Sequence, residues 1–137
     1  MEILKPDKKY SSNHSLVYSC QYHVIFCPKY RRRVLIDGVD VRLKELVLEK
    51  QSQYEYKVLD MEVMPDHVHL LLSVNPQIGI IKVIGQIKGF TAHALRKEFT
   101  WLKSRLPCMW TRRKFVSTVG AVTLDVVKKY IEDQKGK

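Results

Sequence analysis

His67 and His69 stand one residue apart at the head of the apolar run Val68-His69-Leu70-Leu71-Leu72, directly after the turn signal Pro65-Asp66. Alternate residues of a β-strand share a face. Val68, Leu70, Leu72 and Val74 therefore make one wholly apolar side, and His67, His69, Leu71 and Ser73 the other. Two imidazoles spaced in this way lie about 6.7 Å apart, close enough to converge on one metal ion. On a helix, residues two apart do not face each other. The alternative is a pair of polar residues on an exposed sheet face. A second reactive group lies near the end of the chain, where Tyr130 and Gln134 share a helix face beside an apolar stripe of Val127 and Ile131. A phenol with a pKa of about 10 is a poor nucleophile near neutrality, so it needs a base, or a metal that polarises the group it attacks. Otherwise Tyr130 is a packing tyrosine whose hydroxyl reaches a partner. Two imidazoles do not complete a coordination shell. Gln134 offers an amide oxygen, and Glu62 and Asp66 are rival oxygen donors. The histidines lean towards a transition metal, whereas an added amide oxygen and waters admit Mn²⁺ or Mg²⁺.

The remaining pattern describes what must hold these groups. Residues 1–15 carry Lys5, Lys8 and Lys9 without periodicity and read as a flexible basic arm with little structure. Leu16 to Cys27 alternates as a first strand, with Tyr18, Cys20, Tyr22, Val24 and Phe26 on one face and Ser19, Gln21 and His23 on the other. Gly38 to Gln53 has helical spacing through Val39, Leu43, Leu46 and Val47. Tyr54 to Met64 is a β-rich run that leads through Pro65-Asp66 into the histidine strand, which predicts an antiparallel hairpin. Gly79 to Phe99 is a second helix through Ile80, Ile84, Ile87, Thr91, Ala94 and Leu95, with Lys82, Lys88, Arg96 and Lys97 on its other side. Trp101 to Thr111 contains Pro107 and reads as a loop. Phe115 to Val119 is a fourth strand ended by Gly120, and Thr123 can cap a last helix, with Asp125 in its first turn, that runs to about Gln134. The whole chain, residues 1–137, is expected to form a single α+β domain with a four-stranded antiparallel sheet and helices packed on it.

The chain has 24 Lys and Arg against 14 Asp and Glu, a formal net charge of +10, so a polyanion is the first partner to consider. Lys29-Tyr30-Arg31-Arg32-Arg33 combines cations for phosphates with a ring for stacking on a base. Lys82 and Lys88 on the second helix and Arg112 and Arg113 before the fourth strand extend the candidate DNA-binding surface. Cys20, Cys27 and Cys108 form no CxxC pair, which argues against a disulfide framework and a cysteine zinc site and fits a reducing cytoplasm. No apolar run approaches the roughly 20 residues of a membrane span, and no signal-peptide core opens the chain, so no membrane partner is expected. No Gly-rich loop ending in Gly-Lys-Ser/Thr is present, so phosphate chemistry here must proceed without ATP held in that motif.

Three blocks together are more specific than any one motif. Tyr22-His23-Val24-Ile25-Phe26-Cys27-Pro28-Lys29-Tyr30-Arg31, Met61 to Leu72, and Lys129-Tyr130-Ile131-Glu132-Asp133-Gln134 resemble, in order and spacing, the signature blocks of the single-tyrosine HUH transposases. These are the transposase A proteins of the insertion sequence 200/605 family. The resemblance runs from about Val17 to the C-terminus and leaves out the first fifteen residues and the Trp101 to Thr111 loop.

The resemblance implies an RRM-like or ferredoxin-like HUH palm. It also implies that His67, His69 and Gln134 bind Mg²⁺ or Mn²⁺, and that Tyr130 attacks a DNA phosphodiester to leave a 5′-phosphotyrosine link and a free 3′-hydroxyl. It implies single-stranded DNA with hairpin ends as substrate and homodimers whose active sites are shared between subunits; Gly120 then reads as a hinge between strand and helix or as a simple turn glycine. Three other readings stand beside it: a domesticated repeat-associated tyrosine transposase, a non-catalytic nucleic-acid-binding module on the same kind of sheet, and a metal-dependent phosphodiesterase that uses water.

Overall fold

The computed structural model describes residues 11–12, 17–18, 20–119 and 124–136, with only the backbone of 11–12, 17–18 and 124–127. In chain order the elements are β1 (Ser11–Ser12), β2 (Val17–Tyr18), β3 (Gln21–Phe26), a 3-10 turn at Lys29–Arg31, α1 (Val39–Glu49), α2 (Gln51–Tyr54), β4 (Tyr56–Met64), β5 (His67–Val74), α3 (Ile80–Glu98), α4 (Trp101–Arg105), β6 (Phe115–Thr118) and α5 (Leu124–Asp133). The main sheet has the order β4-β5-β3-β6, and every neighbouring pair is antiparallel. This is the α+β, four-stranded architecture that the pattern predicts.

The histidine strand is central, paired with β4 on one edge and β3 on the other, and all eight residues of β5 are buried, the apolar face in the main core and the histidine face beneath α5. Its Val68, Leu70, Leu72 and Val74 join Val24 and Phe26 of β3 in the main core. Helices α1 and α3 cover that face. The four buried residues of α1 are Val39, Leu43, Leu46 and Val47, the stripe that the helical period picks out. From α3 come Val83, Ile84, Ile87, Thr91 and Leu95. Each fully buried Leu or Ile stabilises the fold by roughly 1.5–3 kcal/mol, so this two-layer packing makes the sheet a rigid platform for its other face. The hairpin is as predicted, with Met64 opposite His67 and Glu62 opposite His69; a register shift between Val58 and Asp60 sets that phase.

Four expectations need correction. The first strand is not continuous from Leu16 to Cys27: Val17–Tyr18 pairs with Ser11–Ser12 in a separate two-stranded sheet, and only Gln21–Phe26 enters the main one. The supposedly unstructured arm therefore contains a paired strand, and the rest of residues 1–15 lies outside the described residues. The single helix over Gly38 to Gln53 is two pieces, separated at Lys50 and extending to Tyr54. Trp101 to Thr111 is not a loop, because α4 occupies Trp101–Arg105 and Leu102, Leu106, Met109 and Trp110 are all core residues. Trp110 stacks edge-on against Phe26 and donates its Nε1–H to Thr91 Oγ1 at 3.1 Å. Of the two readings of the histidine pair, the exposed sheet face is the one set aside, because His67 and His69 are buried on the face where Ile131 of α5 packs on Ile25.

Candidate active site

The second face of the sheet carries His67 and His69 from β5, with Ile25 opposite His69 on one side and Glu62 opposite it on the other. His67 is 6% exposed and His69 fully buried, so the choice between a surface pair and an internal site falls on the internal one. Ile131 of α5 packs on Ile25, and Tyr130 packs on the Phe115 ring at 4.9 Å between centroids. A cleft of about 340 Å³ is lined by Arg31, by His67 at the start of β5 and by Lys128, Ile131 and Glu132 of α5. Gln134 follows directly after α5, is buried, and donates its Nε2–H to the Tyr130 carbonyl at 3.4 Å. Gly120 and Thr123, the expected hinge and cap, lie outside the described residues.

Each imidazole has one nitrogen engaged. His67 Nδ1–H donates to Asp66 Oδ1 at 2.9 Å, which leaves Nε2 as the nitrogen with a lone pair. His69 Nε2 lies 3.2 Å from His23 Nδ1, which leaves His69 Nδ1. Among the described residues, five buried side-chain polar atoms lack a hydrogen-bond partner. Four are His67 Nε2, His69 Nδ1, Tyr130 Oη and Gln134 Oε1. The fifth, Gln86 Oε1, sits on α3, across the sheet. Orphaned buried polar atoms are rare in native folds and call for a ligand or ion. Three of these four are neutral nitrogen and oxygen donors, a set that suits a divalent cation. The residues present therefore fit a metal. Among the described residues no group of three His, Cys, Asp and Glu side chains is placed to hold a metal ion.

Electrostatics favour the same state. Burial, reinforced by the neighbouring His23 and His67 rings, pushes the His69 imidazole down to about 4, so it is neutral and able to donate its lone pair at physiological pH. Burial also lowers His23. At Asp66 burial opposes ionisation, but the His67 hydrogen bond and the Arg31 charge outweigh it and hold the carboxyl below its ordinary range. Burial, with Cys27 nearby, raises the Tyr130 phenol, so its hydroxyl is protonated near neutrality.

The basic residues fare differently from one another. Arg32 and Arg33 are exposed and join Arg105 around a cleft of about 480 Å³. Tyr30 is 42% exposed, with Lys29 Nζ 5.1 Å from its ring centroid. Lys82, Arg112 and Arg113 are exposed. Lys88 is not on an open face, because its Nζ donates to the Thr111 carbonyl at 2.6 Å. Arg31, expected among the phosphate contacts, is turned inward: Nε donates to Asp66 Oδ2 and Nη1 to the Ile131 carbonyl, both at 2.8 Å. Tyr30 and Arg31 reach this position through left-handed backbone, φ +59° and +51°. Such backbone costs on the order of 1–3 kcal/mol per residue and is retained where the surroundings over-determine it. Here Lys29 N–H is held by the Met109 carbonyl and Leu35 N–H by the Pro65 carbonyl. The sequence reading missed the roles of His23, Asp66 and Arg31; the available signal was that His23 shares the polar face of its strand.

The family model described as "Transposase IS200 like" matches residues 16–134. The chain belongs to the IS200-like transposase family. It is 39% identical over 123 residues to the ISDra2 transposase TnpA of Deinococcus radiodurans, covering 88% of each chain. It is 32% identical over 124 residues to the transposase for insertion sequence element IS200 of Salmonella typhimurium, covering 86% of this chain and 81% of that one. Among solved structures, a transposase-like protein from Deinococcus radiodurans R1 superposes with a TM-score of 0.83 at 34% identity, over 93% of this chain and 99% of that one. A REP-associated tyrosine transposase bound to a REP hairpin superposes with a TM-score of 0.52 at 12% identity, over 95% and 69%, which shows a shared fold. The family match includes the Trp101 to Thr111 segment, in keeping with its place in the core.

Proposed function

We propose that this IS200-like transposase cuts and rejoins single-stranded DNA at the ends of an insertion sequence through a covalent 5′-phosphotyrosine, with Tyr130 as nucleophile and His67, His69 and Gln134 holding Mg²⁺ or Mn²⁺. The observation that supports this reading is that four of the five buried atoms without a hydrogen-bond partner among the described residues belong to His67, His69, Tyr130 and Gln134, the residues these roles require. When bound, the metal would supply Lewis acidity that polarises the scissile phosphate. The residues do the rest. Asp66 and His23 fix the two imidazoles in the tautomers that present His67 Nε2 and His69 Nδ1. The Gln134 amide is oriented by its own Nε2 bond to the helix backbone. Tyr130 Oη bonds to phosphorus and the P–O3′ bond breaks; the 3′-oxygen departs with the electron pair and is protonated as the phenol proton is lost. One ester replaces another, so no ATP is consumed, and a later 3′-hydroxyl can reverse the step.

Arg32, Arg33, Arg112, Arg113, Lys29 and Lys82 would hold the DNA backbone, and Tyr30 would stack on a base. We infer hairpin-bearing strands as the substrate, a homodimer as the working form, and the cytoplasm, where three free thiols stay reduced. The insertion-sequence role is preferred over a repeat-associated one because the relatives at 39% and 32% identity are insertion-sequence transposases.

The test is a labelled hairpin-bearing single strand incubated with Mg²⁺ or Mn²⁺ and resolved under denaturing conditions. Wild type should yield a protein–DNA band, and Tyr130→Phe none. Labelling of both proteins would remove Tyr130 as nucleophile. Cleavage without a band would favour attack by water, and binding without cleavage a non-catalytic module.

A further inference from the structure

Arg31 differs from the arginines beside it. Arg32 and Arg33 are exposed, whereas the Arg31 side chain is only 9% exposed and its guanidinium is spent on two partners from opposite parts of the site. Nε donates to Asp66 Oδ2 at 2.8 Å, and the other oxygen of that carboxylate accepts from His67 Nδ1. Nη1 donates to the carbonyl of Ile131, the residue after Tyr130, again at 2.8 Å. That carbonyl also accepts from Gln134 N–H at 3.2 Å, and it belongs to the last turn of α5, the negative end of the helix. Helix α5 has no basic residue of its own in its last turn, so Arg31 supplies the cation from across the cleft. A weaker contact, 3.8 Å to Glu132, reaches the same helix end.

We propose that Arg31 is a positioning residue for the cleavage reaction, tying the Asp66–His67 end of the metal site to the backbone beside Tyr130. The inference rests on the function proposed above. Both ties come from one rigid planar fork whose donors diverge at fixed angles, so the separation of metal ligand and nucleophile is set by a single side chain. The left-handed turn at Tyr30 and Arg31 is what sends the fork inward while Arg32 and Arg33 stay outside. A lysine is a point charge on a flexible stem and could keep Asp66 without also reaching Ile131.

The test uses the full-length protein and the variants Arg31→Gln and Arg31→Lys, with three readouts. These are amide hydrogen exchange over residues 128–134, Mn²⁺ affinity without DNA, and the rate of adduct formation at saturating DNA beside the Kd for DNA. For Arg31→Gln we expect exchange about tenfold faster, Mn²⁺ binding about tenfold weaker, a rate at least about tenfold lower, and a DNA Kd within about threefold of wild type. For Arg31→Lys, Mn²⁺ affinity should stay close to wild type while exchange and rate show the loss. A merely phosphate-contacting Arg31 would instead weaken DNA binding and lower its salt slope by about 0.7, with exchange and Mn²⁺ affinity unchanged. That result overturns the proposal, as does a change in only one of exchange and Mn²⁺ affinity in Arg31→Gln. Full recovery of all three readouts by lysine also overturns it. If Arg31→Gln does not fold, the divergence of the two DNA-free readouts in Arg31→Lys decides. Should wild type form no adduct, the function proposed above fails, yet exchange and Mn²⁺ binding still judge the tie.

Discussion

His23 Nδ1 lies 3.2 Å from His69 Nε2, joining neighbouring strands beneath α5. If His69 is to offer the lone pair of Nδ1, its Nε2 must carry the proton and His23 Nδ1 must accept it. In the proposed site the tautomer of His69 is therefore set by a residue outside the ligand set. Replacing His23 by Phe keeps a ring of similar size and removes the acceptor. We expect Mn²⁺ affinity, measured by calorimetry without DNA, to fall about tenfold to a hundredfold, and His23→Gln to recover part of it through its amide oxygen. Equal affinities in His23→Phe and wild type would show that the contact is packing alone.

Gln134 and Glu62 compete for the role of third protein ligand. Glu62 shares the sheet face of His69, directly across the strand pair, so a carboxylate is within one cross-strand step of the imidazole. Gln134 has the buried, partnerless oxygen. The expected result is that Gln134→Ala weakens Mn²⁺ binding by about tenfold or more while Glu62→Ala changes it little. The reverse order would move the ligand set onto the sheet and leave the helix with the nucleophile only.

Lys88 gives a pH signature far from the histidines. Burial, helped by the Lys114 charge, lowers its ammonium to about 8, although its Nζ caps the Thr111 carbonyl. The unfolded chain titrates near 10.5, so between pH 8 and 10.5 it binds more protons than the native state, and stability attributable to this group rises with pH across that window. Below pH 8 the native ammonium bears the full cost of burial. Lys88→Met removes the titration. Urea unfolding from pH 7 to 10.5 should show wild type gaining on the variant as pH rises through 8; parallel curves would mean that Lys88 is freely solvated.

The strength of the periodic signals decided what could be read from the sequence. The α1 stripe, the α3 stripe and the β4–β5 hairpin each spread a repeated pattern over many residues, and all three are observed. Five residues of α4 are too few to show a helical period, and Pro107 just beyond them carries an obvious loop signal; the burial of Leu102 and Leu106 is a tertiary fact. Alternation runs unbroken from Tyr18 through Val24, so nothing local marks the change of partner between β2 and β3. In the candidate site, residue types and spacing pointed to His67, His69, Tyr130 and Gln134. The residues that orient them were hidden because His23 depends on strand register and Arg31 on a left-handed turn, and neither is written in a spacing.

The last prediction concerns which chain supplies the tyrosine. In this structure α5 docks on its own sheet, but among the described residues the apolar part of that contact is small, with Ile25 and Ile131 buried and Phe115 and Tyr130 partly so. The core under α1 and α3 is far larger. An element held by few apolar contacts opens at lower cost than one buried in the main core, and an identical sheet on a second copy offers α5 the same seat. Shared sites are tested by mixing Tyr130→Phe with His67→Ala, each inactive alone. Exchange of α5 predicts recovered adduct formation in mixed dimers, which contain one site with both an intact histidine pair and an intact tyrosine. Strictly within-chain sites predict none, because every chain then lacks one half. Since α5 would carry Gln134 as well as Tyr130, mixing Gln134→Ala with His67→Ala should recover activity in parallel; recovery with Tyr130→Phe alone would detach Gln134 from the site that the tyrosine serves.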